Sequence, residues 1–554
     1  MTLKTESLAR ETLRILKPYW WLVALSTVLG VVSGLSVTGL IATINRAMTQ
    51  EGGPGVDIAL LFAGLCVLTL ACSTSSSLLS NRVGQRVVAN LRRELAAKIL
   101  VAPIEQLERY RAHRLIPVLM TDVNTLSNFA LAVAPMVIAF TVTLGCLSYL
   151  AFLSWQILAL TLLTVIIGGG AQYLAHKATT RSILRARDGE DELQKHYQAI
   201  SAGAKELRIQ RRRRQHLLDE QIHGTTERIC ASNIRAVDIF VSAETFGSML
   251  FFAVIGIAIA FQALWPATDK SVLGGFVLVM LYMKGPLERL ITSLPILSRA
   301  KIALRRIAEL SWKFSSPEPH LLVKDRPSSL GAMRTLELRQ LRYDYPPVEG
   351  VESFHLGPVN LSIKQGDIVF VVGENGGGKT TLIKLLLGLY QPQQGEILFN
   401  GQALAAEQLD DYRQLFTTIF ADYYLFDDPL PGDAPITADA AKYLERLDIA
   451  HKVGIRDGAF TTTDLSTGQR KRLALISAWL DERPLLVFDE WAADQDPAFR
   501  RVFYTELLPE LKQQGKTIIV ISHDDRYFPV ADQLVRMQGG RISVEQVEDS
   551  AIPA

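Results

Sequence analysis

At 554 residues the chain is too long for one ordinary domain. Its mean hydropathy is positive, +0.19, although 21% of its residues are charged; that combination argues against a single soluble enzyme and for a membrane part joined to a soluble part. A formal net charge of +2 gives no bulk electrostatic case for a nucleic-acid partner. The four cysteines, Cys66, Cys72, Cys146 and Cys230, form no CxxC pair and sit near no clustered histidines, which argues against a metal site or a disulfide framework.

The first 18 residues are polar and carry Lys4, Arg10, Arg14 and Lys17. They read as a short amphipathic helix on the cytoplasmic surface. The apolar run from Tyr19 is too long for a signal-peptide core, and no small-residue cleavage site closes it, so it reads as a retained first span. A span needs ~20 mainly apolar residues to cross ~30 Å of hydrocarbon. Six stretches qualify: residues 19–44, 57–79, 128–152, 155–176, 240–265 and 272–297. The third and fourth are nearly continuous, so a tight hairpin near Ser154 must join them. The fifth carries Glu244, and the sixth carries Lys284, Glu288 and Arg289.

Loop charge sets the direction. Arg82, Arg86, Arg92, Arg93, Lys98, Arg109, Arg111 and Arg114 lie between spans two and three. Lys177, Arg181, Arg185, Arg187 and the run 211–214 lie between spans four and five. The other two loops carry almost no basic charge. The positive-inside rule then puts both termini and both long loops in the cytoplasm. The long loops mix apolar and charged residues at helical spacing, so membrane helices are predicted to continue into the cytoplasm and to turn near residues 103–109 and 203–211. With this orientation Glu244 lies ~6–8 Å above the inner edge of its span, and Lys284 and Glu288 fall in the same inner half. Intramembrane charges rarely face lipid, so Glu244, Lys284 and Glu288 are candidates for the lining of a transport path.

Residues 316–332 are rich in Ser, Pro and Gly and read as a linker. A soluble α/β domain follows over residues 333–545, with a loose tail over 546–554. Its strongest motif is Gly373-Glu374-Asn375-Gly376-Gly377-Gly378-Lys379-Thr380, a phosphate-binding loop between an apolar strand and a helix. Glycines let backbone N–H groups wrap phosphates, and the helix N-terminus adds its dipole. Lys379 is expected at the β- and γ-phosphates of ATP, Thr380 on Mg²⁺, and Thr381 beside them. The apolar strand ending in Asp489-Glu490 supplies a Mg²⁺ carboxylate, Asp489, and a group to accept a proton from the attacking water, Glu490. A further apolar strand ends at His523, which the sheet would bring beside the γ-phosphate.

Leu465-Ser466-Thr467-Gly468-Gln469 resembles the LSGGQ signature of ATP-binding-cassette proteins, with Thr467 in place of the first glycine. The order of elements resembles the exporter half-transporters: an all-α membrane domain of six spans over residues 1–315 fused to an α/β P-loop cassette. That resemblance implies an ATPase coupled to transport across the bacterial inner membrane. It also implies that Ser466, Gly468 and Gln469 of one chain bind the ATP held by a second copy, so that a homodimer builds two sites. Tyr345 resembles the aromatic that stacks on adenine, and Asp496 the acid of the loop after the catalytic glutamate. Two departures stand out. Ala421 occupies the place of a glutamine that contacts Mg²⁺ and senses the membrane domain, so either Asp422 substitutes for it or the coupling differs. The loop after Glu490 reads Trp-Ala-Ala-Asp-Gln-Asp. These departures, with the segment Phe-Ala-Asp-Tyr-Tyr-Leu-Phe-Asp, resemble the bacterial cyclic-peptide exporters, and most of all the pyoverdine-type siderophore exporters. The cargo so implied is peptide-like or a siderophore precursor. A lipid exporter and a non-transporting regulator of the same superfamily are the competing readings.

Overall fold

The computed structural model describes residues 14, 17–50, 55–110, 112–264, 270–314, 318, 321–323, 329–347, 353–427, 438–456 and 459–547. Most of the predicted surface helix at residues 1–18, much of the linker and nearly all of the tail lie outside these residues. The chain divides into two compact units, residues 1–96 with 113–312 and residues 97–112 with 313–554.

The first unit is helical. Its long helices are α1 (Trp20–Thr49) and α2 (Val56–Leu100), whose last turn belongs to the second unit. The short α3 (Ile104–Arg109) follows and also belongs to the second unit. Then come α4 (Val123–Leu153), α5 (Trp155–Ala202), α6 (His223–Leu264) and α7 (Lys270–Lys313). Among the described residues five helices are long and apolar enough to cross a membrane. The sixth predicted span lies within α7, a continuous helix of 44 residues whose apolar run is broken by Lys284, Glu288 and Arg289. Ser154, in extended conformation, forms the hairpin between α4 and α5.

Small residues let these helices approach, as they do where no hydrophobic effect drives helices together. Ser26 and Ser76 exchange hydroxyl-to-carbonyl hydrogen bonds of 2.9 and 2.7 Å between α1 and α2. A Cβ on Gly145 of α4 would stand 2.2 Å from the Thr38 hydroxyl oxygen of α1. Large apolar side chains such as Leu60, Val67, Leu70 and Ile166 are exposed on the outside of the unit, where a bilayer would cover them. Below α4, the buried Asp122 pairs with Arg187 of α5 at 3.0 Å.

The second unit is layered α/β. An antiparallel sheet holds β1 (Thr335–Asp344) between β2 (His355–Lys364) and β4 (Gln394–Phe399). The main sheet contains β3 (Ile368–Gly373), β5 (Phe416–Ile419), β6 (Leu485–Asp489), β7 (Thr517–Ile521), β8 (Gln533–Gln538) and β9 (Arg541–Gln546). Its order is β9-β8-β3-β7-β6-β5, parallel except at β9. The continuous apolar runs of β3, β6 and β7 follow from burial on both faces. Val369, Val371, Leu485, Val487, Ile519 and Ile521 feed one core. The alternate residues Ile368, Phe370, Leu486, Phe488, Ile518 and Val520 feed the other. The register Val371–Ile521–Asp489 places the C-terminal ends of β3, β7 and β6 side by side. That edge is where parallel α/β sheets hold ligands.

Candidate nucleotide site

The phosphate-binding loop leaves β3 and runs straight into α8 (Lys379–Leu386). Three of its glycines have positive φ: Gly373 at 149°, Gly376 at 80° and Gly378 at 102°. A Cβ on Gly373 would stand 2.2 Å from the Met537 carbonyl oxygen, and one on Gly378 would stand 2.7 Å from the Phe354 ring. Glycine is therefore obligatory at both, and the loop is a cradle that only backbone can form. Glu374, Asn375 and Gly376 face solvent, while Gly377 is buried. Lys379 is buried, and its ammonium donates to the carbonyls of Gly373 at 2.9 Å and Glu374 at 3.1 Å. A phosphate in the cradle would be a stronger partner for that ammonium than either carbonyl. Thr380 is exposed at the start of the helix, and Thr381 behind it lies 3.1 Å from the Tyr345 hydroxyl. The half-buried ring of Tyr345 thus stands beside the loop, packed against Tyr343, Phe354 and Tyr390.

Asp489 ends β6 almost wholly buried. Burial pushes its carboxyl above the ordinary aspartate range, the Ala421 backbone N–H pulls it down, and Glu490 and Asp422 push it up again. One lysine, Lys379, is the compensating cation there. A buried carboxylate crowded by two others is a donor that suits Mg²⁺, so Asp489 would be one ligand and the exposed Thr380 hydroxyl at the end of the phosphate-binding loop the other. Ala421 contributes only its backbone, and Asp422 is the acid brought toward Asp489.

Glu490 adopts a left-handed backbone with φ at 49°. Non-glycine residues rarely sit there, and such strain concentrates at functional sites. Its carboxylate lies 3.2 Å from His523 Nε2, so the two predicted catalytic residues meet at the sheet edge. The register of β6 and β7 does this, since His523 follows β7 by two residues and Glu490 follows β6 directly.

The signature occupies the N-terminus of α9 (Thr467–Leu480). Ser466 is exposed just ahead of it, and Gly468 and Gln469 lie in its first turn. A Cβ on Gly468 would stand 2.8 Å from the Asp494 carbonyl oxygen, so this glycine permits close approach of the loop after Glu490. Sequence reasoning missed the residues that lock the two segments together. Gln495 donates to the Gly468 carbonyl at 3.0 Å and accepts from Arg472 at 3.0 Å. The buried Lys471 reaches the Glu490 carbonyl at 2.9 Å and pairs with Asp494 at 2.8 Å. The Trp491 indole donates to the Lys471 carbonyl at 2.9 Å. The signal was the unusual loop itself, whose Trp, Asp and Gln all face α9. Asp496 caps α10 (Pro497–Val502) through the Phe499 N–H at 2.9 Å and pairs with Arg472 at 2.7 Å. That backbone bond and Arg472 hold its carboxyl below the usual range.

The turn predicted near residues 103–109 is the short helix α3, and it packs within the second unit. Glu105 accepts the Tyr343 hydroxyl at 2.8 Å. Glu108 accepts Lys384 of α8 at 2.8 Å and the Tyr390 hydroxyl at 2.5 Å. The two acids thus reach the aromatic cluster around Tyr345 and the helix that carries Lys379. In the first unit, Lys284 and Glu288 of α7 form an ion pair of 3.6 Å. Both residues and Glu244 of α6 line one cavity.

Residues 20–282 match the family described as ABC transporter transmembrane region, and residues 356–493 match the family described as ABC transporter. The ATP-binding protein SyrD of Pseudomonas syringae pv. syringae is 33% identical, over 98% of this chain and 98% of its own length. The chain belongs to the ABC exporter family. An ATP-dependent lipid A-core flippase of Burkholderia orbicola (strain AU 1054) is 24% identical over 97% of the chain and 92% of its own length. The structure of a bacterial Atm1-family ABC exporter with ATP bound superposes with a TM-score of 0.73 at 16% identity, covering 96% of this chain and 95% of that one. This ABC exporter is therefore an ATP-hydrolysing transporter of the inner membrane, with a helical membrane domain ahead of an α/β nucleotide-binding domain.

Proposed function

We propose that two copies of this chain form an exporter that moves a peptide-like or siderophore-precursor cargo out of the cytoplasm, with both termini on the cytoplasmic side. The observation that carries the ATP-driven step is the Glu490–His523 pair, 3.2 Å apart at the sheet edge that bears the phosphate-binding loop. In this reading Lys379 and the loop amides hold the phosphates, Tyr345 receives the adenine, and Glu490 takes a proton from the attacking water. Mg²⁺, held by Asp489 and Thr380, supplies neutralisation of phosphate charge. Ser466, Gly468 and Gln469, at the solvent-facing start of α9, complete the site of the partner copy. Glu105 and Glu108, on a helix that follows directly from the membrane helix α2, link nucleotide state to the membrane helices.

The peptide reading is supported by the loop Trp-Ala-Ala-Asp-Gln-Asp and the segment Phe-Ala-Asp-Tyr-Tyr-Leu-Phe-Asp, which resemble those of the bacterial cyclic-peptide exporters. The lipid reading is favoured by the name of the lipid A-core flippase. A strain lacking the gene separates them. A peptide retained in its cytoplasm supports the proposal, and lipid A core retained in the inner leaflet with no peptide retained overturns it.

A further inference from the structure

In the membrane unit, α5, α6 and α7 enclose a cavity of about 110 Å³. Glycines open it. A Cβ on Gly168 of α5 would stand 3.9 Å from Gly247 of α6, so the two helices nearly touch there. Gly169 and Gly247 would meet nothing within 4 Å, which leaves the space beside that contact free. Val165, Phe251, Leu287 and Ile291 supply an apolar wall.

The charges in this cavity do not balance. Glu288 is satisfied by Lys284 at 3.6 Å and by the Ser248 hydroxyl at 2.8 Å. Lys284 also stands 5.2 Å from the centre of the Phe252 ring. Glu244 lines the cavity with no hydrogen-bond or ion-pair partner among the described residues. Gln172, only 4% exposed, lines it too and has no hydrogen-bond partner among those residues. The Gln172 amide is thus open to the cavity, and an unpaired carboxylate within a membrane domain is costly. The cavity therefore has a surplus of one negative charge, a free acceptor and a greasy wall. An apolar stem ending in a cation matches all three. An anionic group would face two carboxylates and one already paired lysine.

We infer that this cavity is a cargo-binding site for an aminoalkyl or guanidinoalkyl group. Glu244 is its counter-charge, the Gln172 amide oxygen a second acceptor, and the apolar wall the seat of the stem. The site is large enough for one such side chain, so it reads one feature of the cargo rather than the whole molecule. The inference rests on the export reading and narrows its cargo to molecules bearing a basic side chain.

The test uses the full chain in discs of neutral phosphatidylcholine and three dansyl-labelled hexapeptides that differ at one residue: lysine, Nε-acetyl-lysine or glutamate. The lysine peptide should bind at least ~10-fold more tightly than either of the others, the margin a charged hydrogen bond confers. Glu244→Gln should remove that margin, and Glu244→Asp should keep most of it. Equal binding of the lysine and acetyl-lysine peptides to the unmodified protein overturns the inference without recourse to any variant. ATP-dependent uptake of the same peptides into inverted proteoliposomes keeps the two readings apart. Uptake of all three without preference overturns the inference and leaves export standing. Lysine-selective binding without uptake supports the site and overturns export.

Discussion

Replacing Glu490 by glutamine changes one oxygen to an NH₂ group and leaves the side chain's size intact. The structural bonds at this residue are made by its backbone: its N–H donates to the Ile521 carbonyl at 3.2 Å, and its own carbonyl accepts Lys471 at 2.9 Å. Glutamine keeps both and tolerates the φ of 49° no worse than glutamate. The phosphate-binding loop and Lys379 are untouched, so ATP affinity should change by less than about threefold. What is lost is the carboxylate 3.2 Å from His523. A positioned general base contributes ~10²–10⁴-fold, or about 3–5 kcal/mol at 1.36 kcal/mol per factor of ten. Phosphate release by the reconstituted protein should therefore fall at least a hundredfold, while a fluorescent ATP analogue still binds. A variant that keeps more than about a tenth of wild-type turnover would refute the assignment of Glu490 as base.

Ser466→Arg should block ATP-driven closure of the dimer without weakening nucleotide binding to a single copy. Mixed with a Lys379→Ala chain it should regain one working site, and a mixture with no ATPase would sink the cross-chain arrangement. Gly468→Ala puts a methyl 2.8 Å from the Asp494 carbonyl; overpacking of this kind costs ~1–3 kcal/mol, seen as a lower melting temperature, and an unchanged melt would count against the close approach. Glu108→Ala strips Lys384 and Tyr390 of a shared acceptor; the ratio of cargo-stimulated to basal ATPase should drop at least twofold, and an unchanged ratio would argue that α3 plays no part in coupling. Ala421→Gln should fold and bind ATP, because Ala421 is exposed and contributes only its backbone to Asp489; a chain that fails to fold would contradict that placement.

The nucleotide site was legible because each part is a short contiguous motif tied to one strand end. Gly373, Lys379, Asp489 and His523 could be read one by one, and the parallel register of β3, β7 and β6 then brings them together. The membrane helices were legible as apolar runs, and Ser154 marked the hairpin. Their cytoplasmic extensions were legible too, from the helical spacing of the loops: α2 and α5 run on past their apolar runs, and α6 begins well before its own. Of the locks around α9, only the unusual loop was marked in the sequence; its partners on the helix were not. Lys471 looks like any surface lysine of an amphipathic helix, yet it is buried against Glu490 and Asp494. Glu105 and Glu108 were hidden for the same reason: their partners Tyr343, Lys384 and Tyr390 lie more than two hundred residues away in sequence. The pairing of Lys284 with Glu288 follows from i,i+4 spacing on one helix, whereas the isolation of Glu244 depends on which face α6 turns to α5 and α7.

In the proposed function ATP hydrolysis at this site drives cargo through the membrane unit. Full-length protein in inverted proteoliposomes, given Mg²⁺ and ATP, should accumulate the metabolite retained by the deletion strain. Accumulation should stop in the Lys379→Ala chain and when a non-hydrolysable ATP analogue replaces ATP. Uptake that proceeds equally with the analogue, or equally in the Lys379→Ala chain, would contradict it.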